Sequence, residues 1–195
     1  MDALELLLSR QSAPAKLLGE PAPSDADLQP VFEAAVRAPD HGAIRPWRFR
    51  IIRGAARERL GDLFVEATRK RAPETPQDKL EEQRGKPLRA PLIIAVLAET
   101  FPGHPKVPVV EQLVATGAAA QNMLLALQAM GYGAVLLSGP NAHDPLVKAA
   151  FGLQDKDEIV GFLYVGTLRE EPREKKRPEA AQFVSTWDGL PKAAQ

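Results

Sequence analysis

The run from Val109 to Met130 constrains this chain more than any other stretch. Ala118, Ala119, Ala120, Met123, Leu124, Leu125 and Leu127 are small or apolar, and at helical spacing they leave almost no polar face. A helix that is apolar nearly all round must be buried, or must lie against a partner subunit. Gly131 follows it at the position where a left-handed residue closes a helix. The rest of the chain has to supply the cover. At 195 residues it suits one domain spanning 1–195, or one protomer of a dimer. Folding at this size removes roughly 70% of the extended-chain surface from water. No staples are needed and none are possible: the chain has no cysteine, which excludes disulfides, thiolate metal sites and a cysteine nucleophile.

The remaining elements read as alternating helices and strands. Leu4, Leu7 and Leu8 predict a short amphipathic helix over residues 2–9. Ser24 with Asp27 forms a capping-box signature, and Val31, Phe32, Ala35 and Val36 give the following helix its apolar face. Pro30 inside that pattern is expected to kink the helix or delay its start. Residues 47–52 read as a strand, and 56–69 as a helix with Leu60, Leu63 and Phe64 inward. The charged, proline-bearing stretch 70–90 reads as a mobile loop with at most one helical turn. Pro91–Leu97 is an unbroken apolar run of buried-strand length. Strands follow at 133–137 and 159–165, with a short helix between them opened by Asp144-Pro145 and closed by Gly152. From Arg169 the tail is charged, then turns apolar at Phe183-Val184, a segment too short to stand as a strand without a sheet to join. The fold class is α+β, with helices around one mixed sheet.

Composition excludes several functions. Lysine plus arginine equals aspartate plus glutamate at 25 each, which argues against broad binding to nucleic acid. The start, Met1-Asp-Ala-Leu-Glu, lacks a basic n-region, and no run is long and apolar enough for a membrane span, so a cytoplasmic protein is expected. No Gly-x-Gly-x-x-Gly or Walker motif is present. His41, His104 and His143 lack metal-ligand spacing. Ser138-Gly139-Pro140 lacks the glycine pattern of a nucleophile elbow.

One junction concentrates polar and restricted residues: Arg37-Ala-Pro-Asp-His41-Gly-Ala-Ile-Arg-Pro-Trp47. Pro39 pushes Ala38 out of the helical region, so the preceding helix ends there. Asp40, His41, Gly42 and Arg45 then sit in a loop that a rigid scaffold can aim at a ligand. Read alone, Arg37 is a cation suited to a helix C-terminus, His41 a backbone-bonded loop histidine and Asp40 a turn former. Trp47 and Phe49 suit packing. Arg10 and Ser12, at the end of the first helix, are equally a C-terminal cation or a fork and hydroxyl suited to phosphate.

Set in order, these pieces resemble the FMN-dependent nitroreductase family, and within it the compact NAD(P)H nitroreductases of the YdjA type. The resemblance runs through Arg10-x-Ser12, Arg37-Ala-Pro-Asp-His41, Pro46-Trp47-x-Phe49, Arg89-Ala-Pro-Leu-Ile-Ile94, Lys106-Val-Pro108, Gly131-Tyr-Gly133, Ser138-Gly139 and Ile159–Thr167. It implies a nitroreductase-like fold, a homodimer with flavin sites at the subunit interface, and a C-terminal arm (169–195) that reaches the partner subunit.

It also implies a site. Arg10, Gln11, Ser12, Arg37, His41, Leu136, Leu137 and Ser138 fall on FMN-contacting positions, with Ser138 and Gly139 beside the flavin edge. Lys176 and Arg177, in the basic run Lys175–Arg177, fall where related enzymes place phosphate ligands; a solvated charge run is the plainer reading. Ala126, Leu127, Gln128, Ala129, Met130 and Gly131 match a stretch associated with NAD(P), although physically they look like buried helix. Lys16 and Lys86 are further candidates for a cation near the flavin. The chain departs from the pattern at Gln11, Gly42, Leu136 and Leu137, where the relatives carry arginine, a basic residue, tryptophan and arginine. The reaction implied is ping-pong hydride transfer from NAD(P)H through flavin N5 to a nitroaromatic or quinone-like acceptor, with no catalytic side chain on the protein. An enone or halogenated aromatic as oxidant, or a flavin-binding protein without turnover, are the alternatives.

Overall fold

The computed structural model describes residues 2–173, 175–187 and 189. Its centre is β3 (Leu92–Ala98), and every residue of that strand is buried. β3 pairs on one side with β2 (Trp47–Arg53) and on the other with β5 (Glu158–Leu168). β5 also takes β4 (Gly133–Leu137) and the two-residue β1 (Leu18–Gly19). All these pairings are antiparallel, so the sheet is not mixed as expected. The unbroken apolar run of β3 has another cause: the sheet is covered on both faces. Ile93, Ala95 and Leu97 face one core with Phe64, Phe162 and Tyr164, while Leu92, Ile94 and Val96 face a second with Val31, Met123 and Leu163.

Helices supply the two outer layers. α2 (Asp25–Ala35) and α5 (Val109–Ala129) cover one face; α3 (Ala55–Arg71), α4 (Gln77–Gly85) and α6 (Pro145–Ala150) lie over the other. α5 buries Ala115, Ala119, Ala120, Met123 and Leu127 against the sheet, but leaves Val110 and Val114 exposed. It closes as expected. Gly131 adopts φ +85°, Gly131 N–H donates to the Gln128 carbonyl and Tyr132 N–H to that of Leu127, a Schellman pair that satisfies two end carbonyls.

Two local expectations are corrected. α2 starts at Asp25 on a complete Ser24–Asp27 capping box and runs through Pro30, so the proline does not delay its start. The stretch 70–90 is not a loop: it completes α3, forms α4 and then a 3₁₀ turn at Lys86–Arg89. The first helix, α1 (Ala3–Ser9), forms on an Asp2 cap but buries no residue.

Candidate functional site

The Arg10–Ser12 segment leaves α1 and runs beside β4, where Ala13 N–H donates to the Ala134 carbonyl at 3.0 Å. Arg10 Nη1 reaches the Ser12 hydroxyl at 3.5 Å. The tail returns to this place. Arg177 Nη2 donates to the Arg10 carbonyl at 2.6 Å, and Lys175 Nζ to the Ser12 carbonyl at 3.5 Å. Cations from the two ends of the chain therefore gather on one turn of backbone, with Lys176 exposed between them. A cleft of about 260 Å³ opens beside them, lined by Arg10, Gln11, Gln128 and Tyr132 among others.

Gln128 explains how the segment is held. Its carboxamide accepts from Gln11 N–H at 3.3 Å and donates to Ser9 Oγ at 3.2 Å, tying the end of α5 to the end of α1. Of the stretch matched to NAD(P), Leu127 is fully buried, Ala126 packs against the core, Ala129, Met130 and Gly131 are exposed at the helix end, and Gln128 reaches the cleft.

A second cavity, about 170 Å³, lies past the end of β4. Leu137, Ser138, Gly139 and Asn141 line one side; Lys86, Arg89 and Tyr164 line the other. Leu136 packs into the core, where Gly161 leaves it room: a Cβ there would stand 2.9 Å from Leu136 Cδ1. The loop after β4 is anchored from behind. Arg71 pairs with the buried Asp144 and donates to Asn141 Oδ1 at 3.1 Å, while Asn141 Nδ2 donates to Gln83 at 3.2 Å. Burial pushes the Lys86 pKa down, and Arg89 adds to the effect. Burial also raises the Tyr164 phenol to about 12, so it stays a neutral hydroxyl.

Arg37 and His41 lie elsewhere. Arg37 is exposed just past α2, and His41 Nδ1 meets Glu111 Oε2 at 2.6 Å in the first turn of α5. Asp40 holds this loop by accepting from Arg45 N–H at 2.7 Å. Trp47 is buried and Phe49 packs on Phe32 at 5.5 Å, as expected of packing residues. Glu111 and Gln128 stand 17 residues apart on one helix, about 25 Å along its axis. The His41 loop and the Arg10–Ser12 segment are thus at opposite ends of α5 in one protomer. Sequence reading missed Glu111 and Arg71, the pairing of Asp144 with Arg71, and the tie that Gln128 makes to Gln11 and Ser9, because each acts across 70 residues or more; helical periodicity carries no signal for such pairs. Among the described residues no group of three His, Asp or Glu side chains could hold a metal ion, and no helix is long and apolar enough to cross a membrane.

Comparison with known proteins agrees with this architecture. The model of the Nitroreductase family matches residues 7–167. The chain is 42% identical over 167 residues to the Escherichia coli (strain K12) protein named "Putative NAD(P)H nitroreductase YdjA", covering 86% of this chain and 88% of that one. A nitroreductase-like family protein from Bacillus cereus superposes with a TM-score of 0.80 at 25% identity, covering 97% of each chain. A nitroreductase from Bacteroides fragilis, solved with bound FMN, superposes at 0.70 with 20% identity over 96% of this chain and all of that one, a likeness of fold. The chain belongs to the nitroreductase family.

Proposed function

We propose that this chain is an FMN-dependent oxidoreductase, a cytoplasmic homodimer that takes electrons from NAD(P)H and passes them to a nitroaromatic or quinone-like acceptor. The observation that carries the reading is the meeting of Arg10, Ser12, Lys175 and Arg177 beside a cleft. An arginine fork, a hydroxyl and further cations are the donor set that a phosphate monoester requires. The matched relative is named for NAD(P)H, and a structural neighbour holds FMN.

FMN, when bound, supplies the hydride chemistry. The chain's own groups would bind and orient. Arg10, Ser12 and Arg177 would hold the phosphate, with Gln11 and Lys176 at the margins. Backbone N–H groups of Ser138 and Gly139 would face the ring edge, with Leu136 and Leu137 behind it. Lys86 and Arg89 would add positive potential there, and an anionic group brought to that cavity would relieve their mutual repulsion. Arg37 and His41 would complete the site from a second copy. Their place at the far end of α5 supports this, since an antiparallel pairing along that helix brings the His41 end of one protomer to the Arg10 end of the other.

Purified protein should be yellow and should bleach anaerobically with NADH or NADPH. Arg10→Ala should weaken FMN retention through loss of charged hydrogen bonds of roughly 1.5–3 kcal/mol, about ten- to a hundred-fold in Kd. A colourless protein that takes up no FMN on titration would overturn the reading. A yellow protein that neither nucleotide bleaches would favour a flavin-binding protein without turnover.

A further inference from the structure

A third cavity, about 350 Å³, carries a local excess of positive charge and shares only Arg89 with the ring-edge cavity. Lys16, Arg57, Arg89 and Arg169 line it, with Glu20 as the sole carboxylate among its lining residues. Glu20 is already engaged, since its Oε2 accepts from Ala22 N–H at 2.7 Å. Among the described residues no carboxylate lies within 4.0 Å of any of the four cations. The overall charge of the chain is zero, so this is a concentration and not a general basic surface.

Two of the four cations, Arg57 and Arg169, are held in place. Arg57 Nη1 donates to the Ala90 carbonyl at 2.7 Å. Arg169 lies across Gly19, where any Cβ would stand 2.3 Å from its Nε, and its backbone N–H donates to the Leu17 carbonyl. Arg57 also sits in the first turn of α3, where the helix dipole adds to its positive charge. Like charges fixed around a concave wall cost free energy until an anion joins them. Arg89 lines this cavity and the one holding Ser138 and Gly139, so the two are neighbours across the 3₁₀ turn Lys86–Arg89.

We infer that the Lys16–Arg57–Arg89–Arg169 cavity binds the diphosphate of a nicotinamide dinucleotide whose ring enters the neighbouring cavity at Ser138–Gly139. The inference rests on the oxidoreductase reading above. In such a nucleotide only a ribose separates the ring from the diphosphate, which suits two cavities that share one wall. Two phosphates also match a set of three guanidinium forks and an ammonium better than a single carboxylate does.

The test compares NADH with reduced nicotinamide riboside, the same hydride donor without phosphate, and adds calorimetric titration with inorganic pyrophosphate. Pyrophosphate should bind and compete with NADH. Arg169→Gln and Lys16→Gln should each lower kcat/KM for NADH about tenfold more than for the riboside, the worth of one charged hydrogen bond. Equal losses with both donors, or no pyrophosphate binding, would overturn the inference. So would loss of FMN from the variants in place of donor discrimination, since the cavity would then serve the cofactor. If the wild type holds no flavin, the oxidoreductase reading fails by itself. Calorimetry with NADH and pyrophosphate then decides the cavity: binding weakened in the variants supports it, and absent binding overturns it.

Discussion

Asp157 shows how a buried charge is made stable. It is 3% exposed, and burial alone would raise its pKa. Hydrogen bonds from the Gln154 and Thr100 backbone and from the Lys156 ammonium outweigh that penalty, holding the carboxyl below its ordinary value of 3.8. A depressed folded pKa means the stabilisation is present above the unfolded value and is lost as pH falls through the folded one. Asp157→Ala should therefore cost on the order of 2 kcal/mol at neutral pH, with two backbone donors left unpaired. Urea midpoints of wild type and variant should converge as pH drops below about 3.8. At this scale the sequence was legible only in part. Arg10, Ser12, His41 and Ser138 became candidates only through family order, because each has an ordinary reading on its own. Glu111 and the contact of Gln128 with Gln11 were not foreseen, since nothing local marks a side chain that serves a segment 70 or 117 residues away.

α4 was invisible to periodicity for a physical reason: it buries only Leu80, so there is no apolar stripe to detect. Its own pairs, Gln77–Glu81 and Lys79–Glu82, support it weakly. What fixes it is α3, where Gly61 admits the Arg84 carbonyl; a Cβ at 61 would stand 2.3 Å from that oxygen. Gly61→Ala sets a helix-propensity gain of about 1 kcal/mol against an overpacking cost of roughly 1–3 kcal/mol. Because the obstacle is backbone and cannot rotate away, the cost should win. The variant should unfold at lower urea and, by displacing the turn that carries Lys86 and Arg89, alter the cavity they share with Ser138 and Gly139. The strands were legible wherever they are buried, yet their direction was not. A strand covered on both faces reads as the same apolar run whether its neighbours are parallel or antiparallel. β1 has two residues, too few for any pattern.

The whole protomer leaves apolar surface uncovered in a few places. Leu4, Leu7 and Leu8 of α1, Val110 and Val114 of α5, and Phe183, Val184 and Trp187 of the tail are all more than half exposed. A seven-residue helix with no buried residue is marginal in water, so α1 needs a partner surface. The protein should sediment at twice the protomer mass. Leu4→Gln with Leu8→Gln should shift it toward monomer and release FMN, if His41 completes the site from the second copy; a stable monomer that keeps its FMN would refute that arrangement. Composition and local pattern determined that the chain is cysteine-free and α+β, with a largely apolar helix along α5 and buried strands beside it, because hydrophobic burial and helix termination act through near neighbours. Tertiary structure alone decided that all strand pairings are antiparallel, that 77–85 is helical, that Arg177 returns to Arg10, and that Arg10 and His41 lie near opposite ends of α5. Those are contacts between distant residues, and their free energy appears only once the chain has closed on itself.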